Sequence, residues 1–502
     1  MSCENSKAAD SNATSLAVTK ADMPATATTP WLLMEPNEVS SFSSTIEKVA
    51  RDPITADRQR RKGSITSVST APSFTADMTL EMISYFAPGF LFSVWKGLQP
   101  NSYKVVDAAA TGNTYNVGIG GAVLEAGMLV FADGFVNPEN NGLKTVASGT
   151  ATEILVNETL VDETAPATVR LHLVGVRGAA DDLSINAEGD LESVLLDFTT
   201  LGFTAGQYIS IGGAGTLNQF DDVSGKARIA GIEANKLVLE ARDTAYVADA
   251  GTGKEVDIMF SAFVRNVAVG DADFYKQWYH MEAGYNTNPK LYEYADCCLN
   301  NTLAINNSLQ DKAVLDLAFV GKDLLPPTDT PRDGVRSNQL ETEPFNTSSD
   351  ILRLRVSDID DAGVSTFFKD TNISINNNVA AEYVLGQLGA EFINFGNFEV
   401  DIETTAVFTD AVLLSAIRNN TTFGVDMAYK NGDGGFVLAL PSGTFGDGSK
   451  SLPRNEKVKL TTPFMAHRDE DRGYTMGVSL FWITKNSLPM LNFSASMSLI
   501  RS

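Results

Sequence analysis

The clearest pattern along the chain is an alternation of apolar and charged residues in its second half. Residues 398–403, Phe-Glu-Val-Asp-Ile-Glu, alternate without a break, and Ala313–Val320 alternates in the same way. A period of two predicts half-buried antiparallel strands, because successive side chains of a strand point to opposite faces of the sheet. The acidic side chains of the first segment are therefore expected together on one face: Glu399, Asp401 and Glu403.

Other local signals predict two helices, a hairpin and a long loop. One helix is expected over Thr79–Phe86 with Asp77 as its N-cap, and another over Asp410–Asn419, whose acidic start and basic end suit the helix dipole. Asn431-Gly-Asp-Gly predicts a hairpin turn between two strands. The prolines and mixed charges of residues 323–345 predict a long loop with no core of its own.

The middle of the chain has short apolar runs separated by Gly and Asn, which is typical of small all-β modules. The run that begins at Gly127 aligns with the run that begins at Gly206, and the two runs after each align as well. Two related modules are the simplest interpretation. The expected organisation is a flexible arm over 1–33, a discontinuous β-domain over 34–100 and 262–502, and inserted modules over 101–178 and 179–261.

The charge of the chain restricts what it can bind. There are 38 Lys and Arg against 62 Asp and Glu, a formal net charge of −24. Residues 101–262 hold 9 basic and 22 acidic residues, so they carry −13 of that charge. Such a balance repels phosphate backbones and argues against a conventional nucleic-acid-gripping surface.

Sites for catalysis or cofactors are not indicated. The histidines and cysteines do not form metal-binding spacings, and no nucleophile motif is present. Gly251-Thr-Gly-Lys-Glu lacks the first glycine and the hydroxyl residue of a phosphate loop, and the acidic turn at Asp358 lacks two ligands of a calcium loop. We expect no enzyme activity, no metal and no cofactor.

Targeting signals are also missing from the pattern. The first 30 residues have no basic segment followed by an apolar one, so we expect synthesis in a cytoplasm. The longest uncharged apolar run, Met82–Trp95, is shorter than a membrane span, so we expect no crossing of a bilayer.

Two charged features remain open in interpretation. The acidic row at 399–403 is either an ordinary solvated sheet surface or a lining that faces a polyanion without holding it. The basic cluster Arg58-Gln-Arg60-Arg61-Lys62 is either a solvated loop or a contact with acidic surfaces on another copy of the chain.

Blocks on either side of the insertion carry a family resemblance. Residues 47–97, then Phe263-Val-Arg-Asn-Val, Tyr279-His-Met-Glu-Ala-Gly-Tyr, Val384-Leu-Gly-Gln-Leu-Gly and Gly396-Asn-Phe-Glu-Val-Asp occur in this order. They resemble the major tail tube proteins of long-tailed, non-contractile (siphovirus-type) bacteriophages. The resemblance covers residues 34–100 and 262–502, and the inserted modules depart from the minimal tube subunit.

The resemblance implies a mainly β protein: an antiparallel β-sandwich with a flanking helix that closes with identical neighbours into a ring lined by an inner β-barrel. In this family the rings are usually hexameric and stack into the tail tube, through which the genome passes to the host. It further implies partners in the tail terminator, tail-tip and tape-measure proteins, a place in the virion, and synthesis in the host bacterial cytoplasm. Genomic DNA would pass through the lumen without tight binding.

Within that resemblance, the acidic residues at 399–403 are the expected lumen lining. Contacts between subunits or rings are expected from the basic cluster and the long loop: Arg58, Arg60, Arg61, Lys62, Arg332 and Arg336. The inserted modules are expected to project outward. The competing interpretation is a virion-surface decoration or adhesin-like protein that binds through those modules.

Overall fold

The chain is mainly β, as its pattern predicts. The computed structural model describes residues 14–51, 54, 56, 59, 61–96, 102–117, 124–166, 169–213, 215–287, 289–339, 342–357, 368–407, 412–432, 434–451, 454 and 457–482. Its strands form one sheet of eighteen strands, one of thirteen and two of two.

The eighteen-stranded sheet, with helix α1, is called the main domain. Its described strand pairs are antiparallel except for the β2–β25 pair. The strands are β1 (Ser15–Thr19), β2 (Pro30–Met34), β3 (Glu38–Ser41), β6 (Ser73–Asp77), β20 (Ala262–Arg265), β21 (Tyr279–Tyr285), β22 (Leu291–Asn307), β23 (Val314–Val320), β24 (Asp323–Thr328), β25 (Val335–Asn338), β26 (Ile351–Val356), β27 (Phe368–Asn376), β30 (Glu399–Val407), β31 (Thr422–Lys430), β32 (Gly434–Phe445), β33 (Ser449–Ser451), β34 (Lys459–Ala466) and β35 (Gly477–Trp482).

Four strands form separate hairpins, and two helices accompany the sheets. The hairpins are β4 (Ser44–Arg51) with β5 (Arg61–Thr70), and β28 (Ala380–Glu382) with β29 (Phe392–Asn394). The helices are α1 (Leu80–Phe90) and α2 (Val412–Asn419).

The local predictions are confirmed at most of these positions. Alternating strands occur at β23 and β30, and the predicted turn joins β31 to β32. Both helices form, although α1 is capped by Thr79 rather than Asp77, with the Thr79 hydroxyl accepting from the Met82 N–H at 3.2 Å.

Helix α1 is buried in the main domain and continues through a proline. Pro88 lacks an N–H, so the carbonyl of Ser84, four residues earlier, has no helical donor. The indole N–H of Trp95 donates to that carbonyl at 3.1 Å. This contact lets an apolar helix of eleven residues pass intact into the core, where Ile83 and Phe90 pack with the apolar side chains of the sheet.

The structure corrects two predictions. Part of the expected flexible arm is ordered sheet: β1 pairs with β2 and β21, and Leu16, Val18 and Trp31 are buried. The expected coreless loop at 323–345 contains β24 and β25, and Phe345 at its end is fully buried. The two segments differ in burial, because β1 and β2 bury most of their side chains whereas β25 is largely exposed.

The thirteen-stranded sheet forms the two inserted modules. Six strands close into an antiparallel barrel in the order β7-β8-β11-β10-β9-β13, and β13 continues into the second module by pairing with β19. The strands are β7 (Ser102–Ala109), β8 (Thr114–Val117), β9 (Met128–Asp133), β10 (Gly142–Gly149), β11 (Glu153–Val156), β12 (Glu163–Thr164), β13 (Arg170–Arg177), β14 (Leu183–Ile185), β15 (Leu191–Ser193), β16 (Tyr208–Ile211), β17 (Gly225–Glu233), β18 (Lys236–Glu240) and β19 (Asp257–Phe260), with a 3-10 turn at Pro138–Asn140.

The aligned runs of the two modules fold alike. Strands β9, β10 and β11 correspond in order and pairing to β16, β17 and β18. The middle strand bulges directly after Val146 in one copy and after Ile229 in the other. Each copy begins at a glycine with a positive φ. The Gly127 N–H donates to the Val146 carbonyl at 2.9 Å, and the Gly206 N–H donates to the Ile229 carbonyl at 2.8 Å. Shared irregularities of this kind support a duplication.

The second module is seated on the main domain through buried charges. Arg228 on β17 donates to Asp426 on β31 at 2.9 Å and to Glu240 at 2.8 Å. Arg355 on β26 donates to the other oxygen of Asp426 at 3.0 Å. The Asp426 side chain is 0% exposed, so its charge is balanced wholly by guanidinium groups from both units.

Apolar packing surrounds this ionic contact. Tyr208 of the second module is buried with Val437, Ala439 and Phe481 of the main domain. The Tyr208 N–H donates to the Ser479 hydroxyl at 3.1 Å. The second module and the main domain therefore share a continuous interior rather than a flexible linker.

We predict that Asp426→Asn strongly destabilises the chain. The substitution keeps the size of the side chain but leaves two buried arginines without their shared counter-charge, which we expect to lower the free energy of unfolding by about 3–5 kcal/mol. Equilibrium unfolding in guanidinium chloride measures the change.

The matched control is Asp221→Asn. Asp221 pairs with Lys254 at the surface and its side chain is 73% exposed, so its loss is expected to lower stability by less than about 1 kcal/mol. Equal effects of the two substitutions would contradict the proposed importance of the buried contact.

Candidate functional site

The outward side of six neighbouring strands forms one continuous polar surface, which we call the polar face. Its strands lie in the order β6, β23, β22, β27, β30 and β34. Their register aligns the outward residues in three rows across the sheet: Thr75, Asp316, Ala304, Ser374, Asp401 and Met465; Asp77, Val314, Asn306, Asn372, Glu403 and Pro463; Ser73, Ala318, Thr302, Asn376 and Glu399.

The composition of the polar face is strongly biased. It carries five carboxylates and otherwise mostly short Ser, Thr, Asn and Ala side chains, and none of the residues in the three rows is basic. At its margin, Lys312 pairs with Asp77 at 2.7 Å. The face is therefore flat, hydrophilic and anionic.

The predicted acidic row lies in the middle of this face. Glu399, Asp401 and Glu403 are exposed, while Val400 and Ile402 between them are buried in the core. Burial against neighbouring strands and, after that, the charge of Glu399 raise the pKa of the Asp401 carboxyl above its ordinary value. Partial burial first, and the charge of Glu399 second, thus oppose the ionisation of Asp401.

The two predicted arginines of the 323–345 segment are engaged inside the subunit. Arg332 binds both oxygens of Asp296 at 2.6 and 2.7 Å, and Arg336 binds Glu282 at 2.7 Å. Burial alone would raise the pKa of Asp296, but hydrogen bonds from His280 and Arg332 outweigh it and lower that pKa to about 2. Within the subunit these arginines fasten strands at the margin of the sheet, and their expected contact with another subunit or ring stays a prediction.

The described part of the basic cluster, Arg61 and Lys62, lies at the end of the hairpin formed by β4 and β5. Arg61 and Lys62 begin β5, whereas Arg58 and Arg60 lie outside the described residues. Strands β4 and β5 pair with each other and are exposed over most of their length. Eight residues of strand span about 26 Å. A two-stranded hairpin is marginally stable alone in water, so packing against another surface would stabilise this one.

Exposed apolar side chains lie along the hairpin and beside its base. On the hairpin, Ile46, Val49 and Ile65 are exposed. Beside it, Leu385 is fully exposed and the Leu388 carbonyl accepts from the N–H of Val68 at 2.8 Å. This surface is not among the sequence predictions, although the β-branched residues Ile65, Thr66 and Val68 favour a strand.

The described residues form no cluster for a metal, and carboxylates occupy the loop that resembles a phosphate loop. They contain no group of three or more His, Cys, Asp or Glu side chains arranged to hold a metal ion. The loop at Gly251 is closed by carboxylates, because Asp249 accepts from its N–H at 2.8 Å and Asp181 accepts from that of Gly253 at 2.7 Å. The acidic turn at 358–363 lies outside the described residues. None of the described helices has the length and apolarity needed to span a membrane.

The described residues thus form a β-rich protein with an exposed hairpin and an anionic polar face. The family comparison gives the particular class: the phage tail tube protein family model matches residues 11–466, and the chain belongs to this family. It is therefore a structural component of the virion tail. No curated protein matches the chain.

We predict that Asp401→Asn raises stability at neutral pH. A raised pKa means that the folded chain holds the proton more tightly than the unfolded chain, so the ionised carboxylate destabilises the fold above that pKa. The effect disappears when acid protonates Asp401 in both states. The variant should melt above the wild type at about pH 7, with the difference vanishing towards pH 3.

Thermal unfolding followed by circular dichroism over a pH series measures this. Asp447→Asn is the control, because Asp447 is an exposed aspartate outside the polar face. If the Asp401 and Asp447 variants gave the same pH dependence, the proposed repulsion within the acidic row would be wrong.

Proposed function

We propose that copies of this chain close into rings with the polar face towards the axis, and that the rings stack into the tail tube. The observation that carries the proposal is the polar face itself: six strands in register with carboxylates and without a basic residue in the three rows. A hexameric ring and an inner β-barrel follow from the family resemblance. The tube would be the conduit for delivering the genome into the host.

The charge of the polar face favours the passage of DNA over its binding. Proteins that hold DNA neutralise phosphates with Lys and Arg and gain free energy from released counterions. A wall without cations offers no such gain, and its like charge is screened beyond about 8–10 Å by physiological salt. Double-stranded DNA could therefore slide along this surface without adhering.

The projecting hairpin would join one ring to the next. Residues 44–70 contain six basic and three acidic residues, in a chain whose net charge is −24. A basic arm with exposed apolar residues suits an acidic, partly apolar surface on another copy. In this arrangement Arg58, Arg60, Arg61 and Lys62 contact the neighbouring ring.

The remaining roles follow from a place in a tail. The ends of the tube would bind the tail terminator and tail-tip proteins, and the lumen would hold the tape-measure protein before the DNA enters. The chain would be made in the host bacterial cytoplasm, would need no cofactor and would catalyse no reaction. The division into a discontinuous main domain and two inserted modules is kept in this proposal, with the first module as the outermost unit.

The alternative of an adhesin-like decoration protein is less well supported. The large apolar side chains exposed on the described parts of the modules are aliphatic, such as Val136, Val194 and Leu195. Aromatic platforms are the side chains that commonly stack on ligands such as nucleobases. The second module also uses one face to pack on the main domain.

Electron microscopy of the purified chain over a concentration series tests the proposal. We expect stacked rings or hollow tubes that lengthen with concentration. Monomers at every concentration, also in the presence of preformed tail tips as initiators, would contradict it.

We predict that reversing the acidic row makes the tube retain DNA. The variant combines Glu399→Lys, Asp401→Lys and Glu403→Lys, so that a positive stripe replaces the negative one. A short labelled DNA duplex should then bind the tubes at about 0.1 M salt and dissociate as the salt concentration rises. Fluorescence anisotropy measures binding, and microscopy confirms that tubes still form.

The control combines Glu399→Gln, Asp401→Asn and Glu403→Gln, which removes the charge without reversing it. Wild-type and neutral tubes should both leave the duplex free. Lysine tubes that bind no more DNA than the wild type would show that this row does not face the lumen.

We predict that Arg61→Glu with Lys62→Glu prevents stacking but permits ring closure. The change reverses the charge at the hairpin end without altering the sheet, so the expected product is single or short-stacked rings. Analytical ultracentrifugation measures the size distribution. Lys104→Glu with Arg170→Glu on the first module is the matched control, and equal tube lengths in all samples would contradict the assigned role of the hairpin.

A further inference from the structure

The turn that follows β18, residues 241–246, joins the second module to the main domain at a place we call the junction. Asp243 of this turn accepts from the Arg353 guanidinium on β26 at 2.7 Å and from the N–H of Lys226 on β17 at 2.8 Å. The Arg353 guanidinium also donates to the Ala241 carbonyl at 3.3 Å. The turn is therefore held between β17 of the module and β26 of the main domain.

Three buried donors at the junction have no hydrogen-bond partner among the described residues: the Tyr246 hydroxyl and the Nε atoms of Arg242 and Arg353. Tyr246 and Arg353 are 6% and 5% exposed. Of the ten buried side-chain atoms without a partner in the described chain, three thus belong to this turn and the strand it contacts. Leaving a buried donor unpaired is unfavourable, so we expect an acceptor from outside the described residues.

The three donors lie near one another. The Arg242 guanidinium is 5.8 Å from the centre of the Tyr246 ring. Burial raises the pKa of the Tyr246 hydroxyl, the charge of Asp243 adds to that rise, and the charges of Arg242 and Arg353 oppose it. Because solvent screens distant charges, groups that act on Tyr246 in this way are its close neighbours.

Positive charge exceeds negative charge at the junction. Four cations share it with two carboxylates, namely Lys226, Arg242, Arg353 and Lys430 with Asp190 and Asp243. Neither lysine forms an ion pair with a carboxylate of the described residues. Burial lowers the pKa of the Lys226 amine; the charge of Asp243 opposes this change, and the charges of Lys430 and Arg353 add to it.

The cluster extends from the interior to the surface. Arg353 and Tyr246 are buried, Lys226 and Arg242 are half-buried, and Lys430 is exposed. A small ligand from solution would therefore meet the lysines and Arg242 first and the buried donors behind them.

We propose that the junction binds a small oxyanion of the inorganic phosphate class, held by Tyr246, Arg242 and Arg353 with Lys226 at the rim. Phosphate suits these donors because its several oxygens accept hydrogen bonds from different sides, and because arginine and lysine are its usual partners in proteins. The anion satisfies the three unpaired donors and reduces the repulsion among the cations. Since its donors come from both units, it also fastens the second module to the main domain.

Isothermal titration calorimetry of the full chain with sodium phosphate tests the proposal. The titration is made at about pH 7.5, where phosphate is mostly doubly charged, and sodium chloride keeps the ionic strength constant. We expect saturable binding with a dissociation constant below about 1 mM, binding of sulfate as well, and no binding of acetate. Acetate that binds as tightly as phosphate would identify a carboxylate site and overturn the phosphate class.

Tyr246→Phe is the most informative variant, because it removes only a hydroxyl group that has no partner among the described residues. Without phosphate it should melt at or above the temperature of the wild type, since an unpaired buried hydroxyl is destabilising. It should bind phosphate at least about tenfold more weakly. Lys226→Met should also weaken binding, whereas the matched control Lys104→Met, at an exposed position on the first module, should bind like the wild type.

Thermal melting with and without phosphate gives a second readout. Phosphate should raise the melting temperature of the wild type more than that of Tyr246→Phe, because a ligand stabilises the folded state that binds it. A wild type without saturable binding, or variants at Tyr246 and Lys226 that bind like the wild type, would overturn the proposal. So would a Tyr246→Phe chain that melts below the wild type in phosphate-free buffer, since its hydroxyl would then be bonded within the chain.

Discussion

The main domain depends on one constraint, the alternation of side chains across its central sheet. On strands β27 and β30, and over residues 302–307 of β22, every second residue enters the core, where Leu303, Ile375 and Ile402 are nearly or fully buried. The intervening residues form the polar face. A slip of one residue in any of these strands would move carboxylates into the core and apolar side chains into water, so burial of one face fixes the position of the other.

Much of this could be predicted from the sequence because it is local. The alternation around Asp401, the turn at Asn431 and helix α1 each depend on residues close together in the chain, and each forms where expected. The repeat in the insertion was also visible, since both copies preserve a glycine at the same turn. The local pattern was enough to predict the acidic row, but it did not predict how far the polar face extends around that row.

The parts that could not be predicted depend on distant partners. Strands β1 and β2 look like a polar arm because their surroundings are Ser, Thr and Ala, but the Trp31 indole donates to the Asp333 carbonyl 302 residues away, at 3.0 Å. The bond from Arg332 to Asp296, 36 residues away, could not be predicted from the sequence either. Likewise, no periodicity reveals that Arg228 and Asp426, 198 residues apart, share a buried contact.

The buried contact between Arg228 and Asp426 determines how the insertion is attached to the main domain. A decoration attached by linkers could take any orientation, whereas the second module is seated on β31 and β32 by charge pairing and apolar packing together. The first module is then held by the shared strand β13 and by Arg177, which binds Asp257 at 2.6 and 3.0 Å. The insertion is thereby fixed in direction relative to the polar face, and every copy in a ring would present it alike.

The radial position of each surface in an assembled tube tests the account most directly. A cryo-electron microscopy reconstruction of tubes grown from this chain would show which face points to the axis. The account predicts Glu399, Asp401 and Glu403 at the smallest radius and the first module at the largest. Finding those carboxylates on the outside of the tube, or buried between subunits, would contradict it.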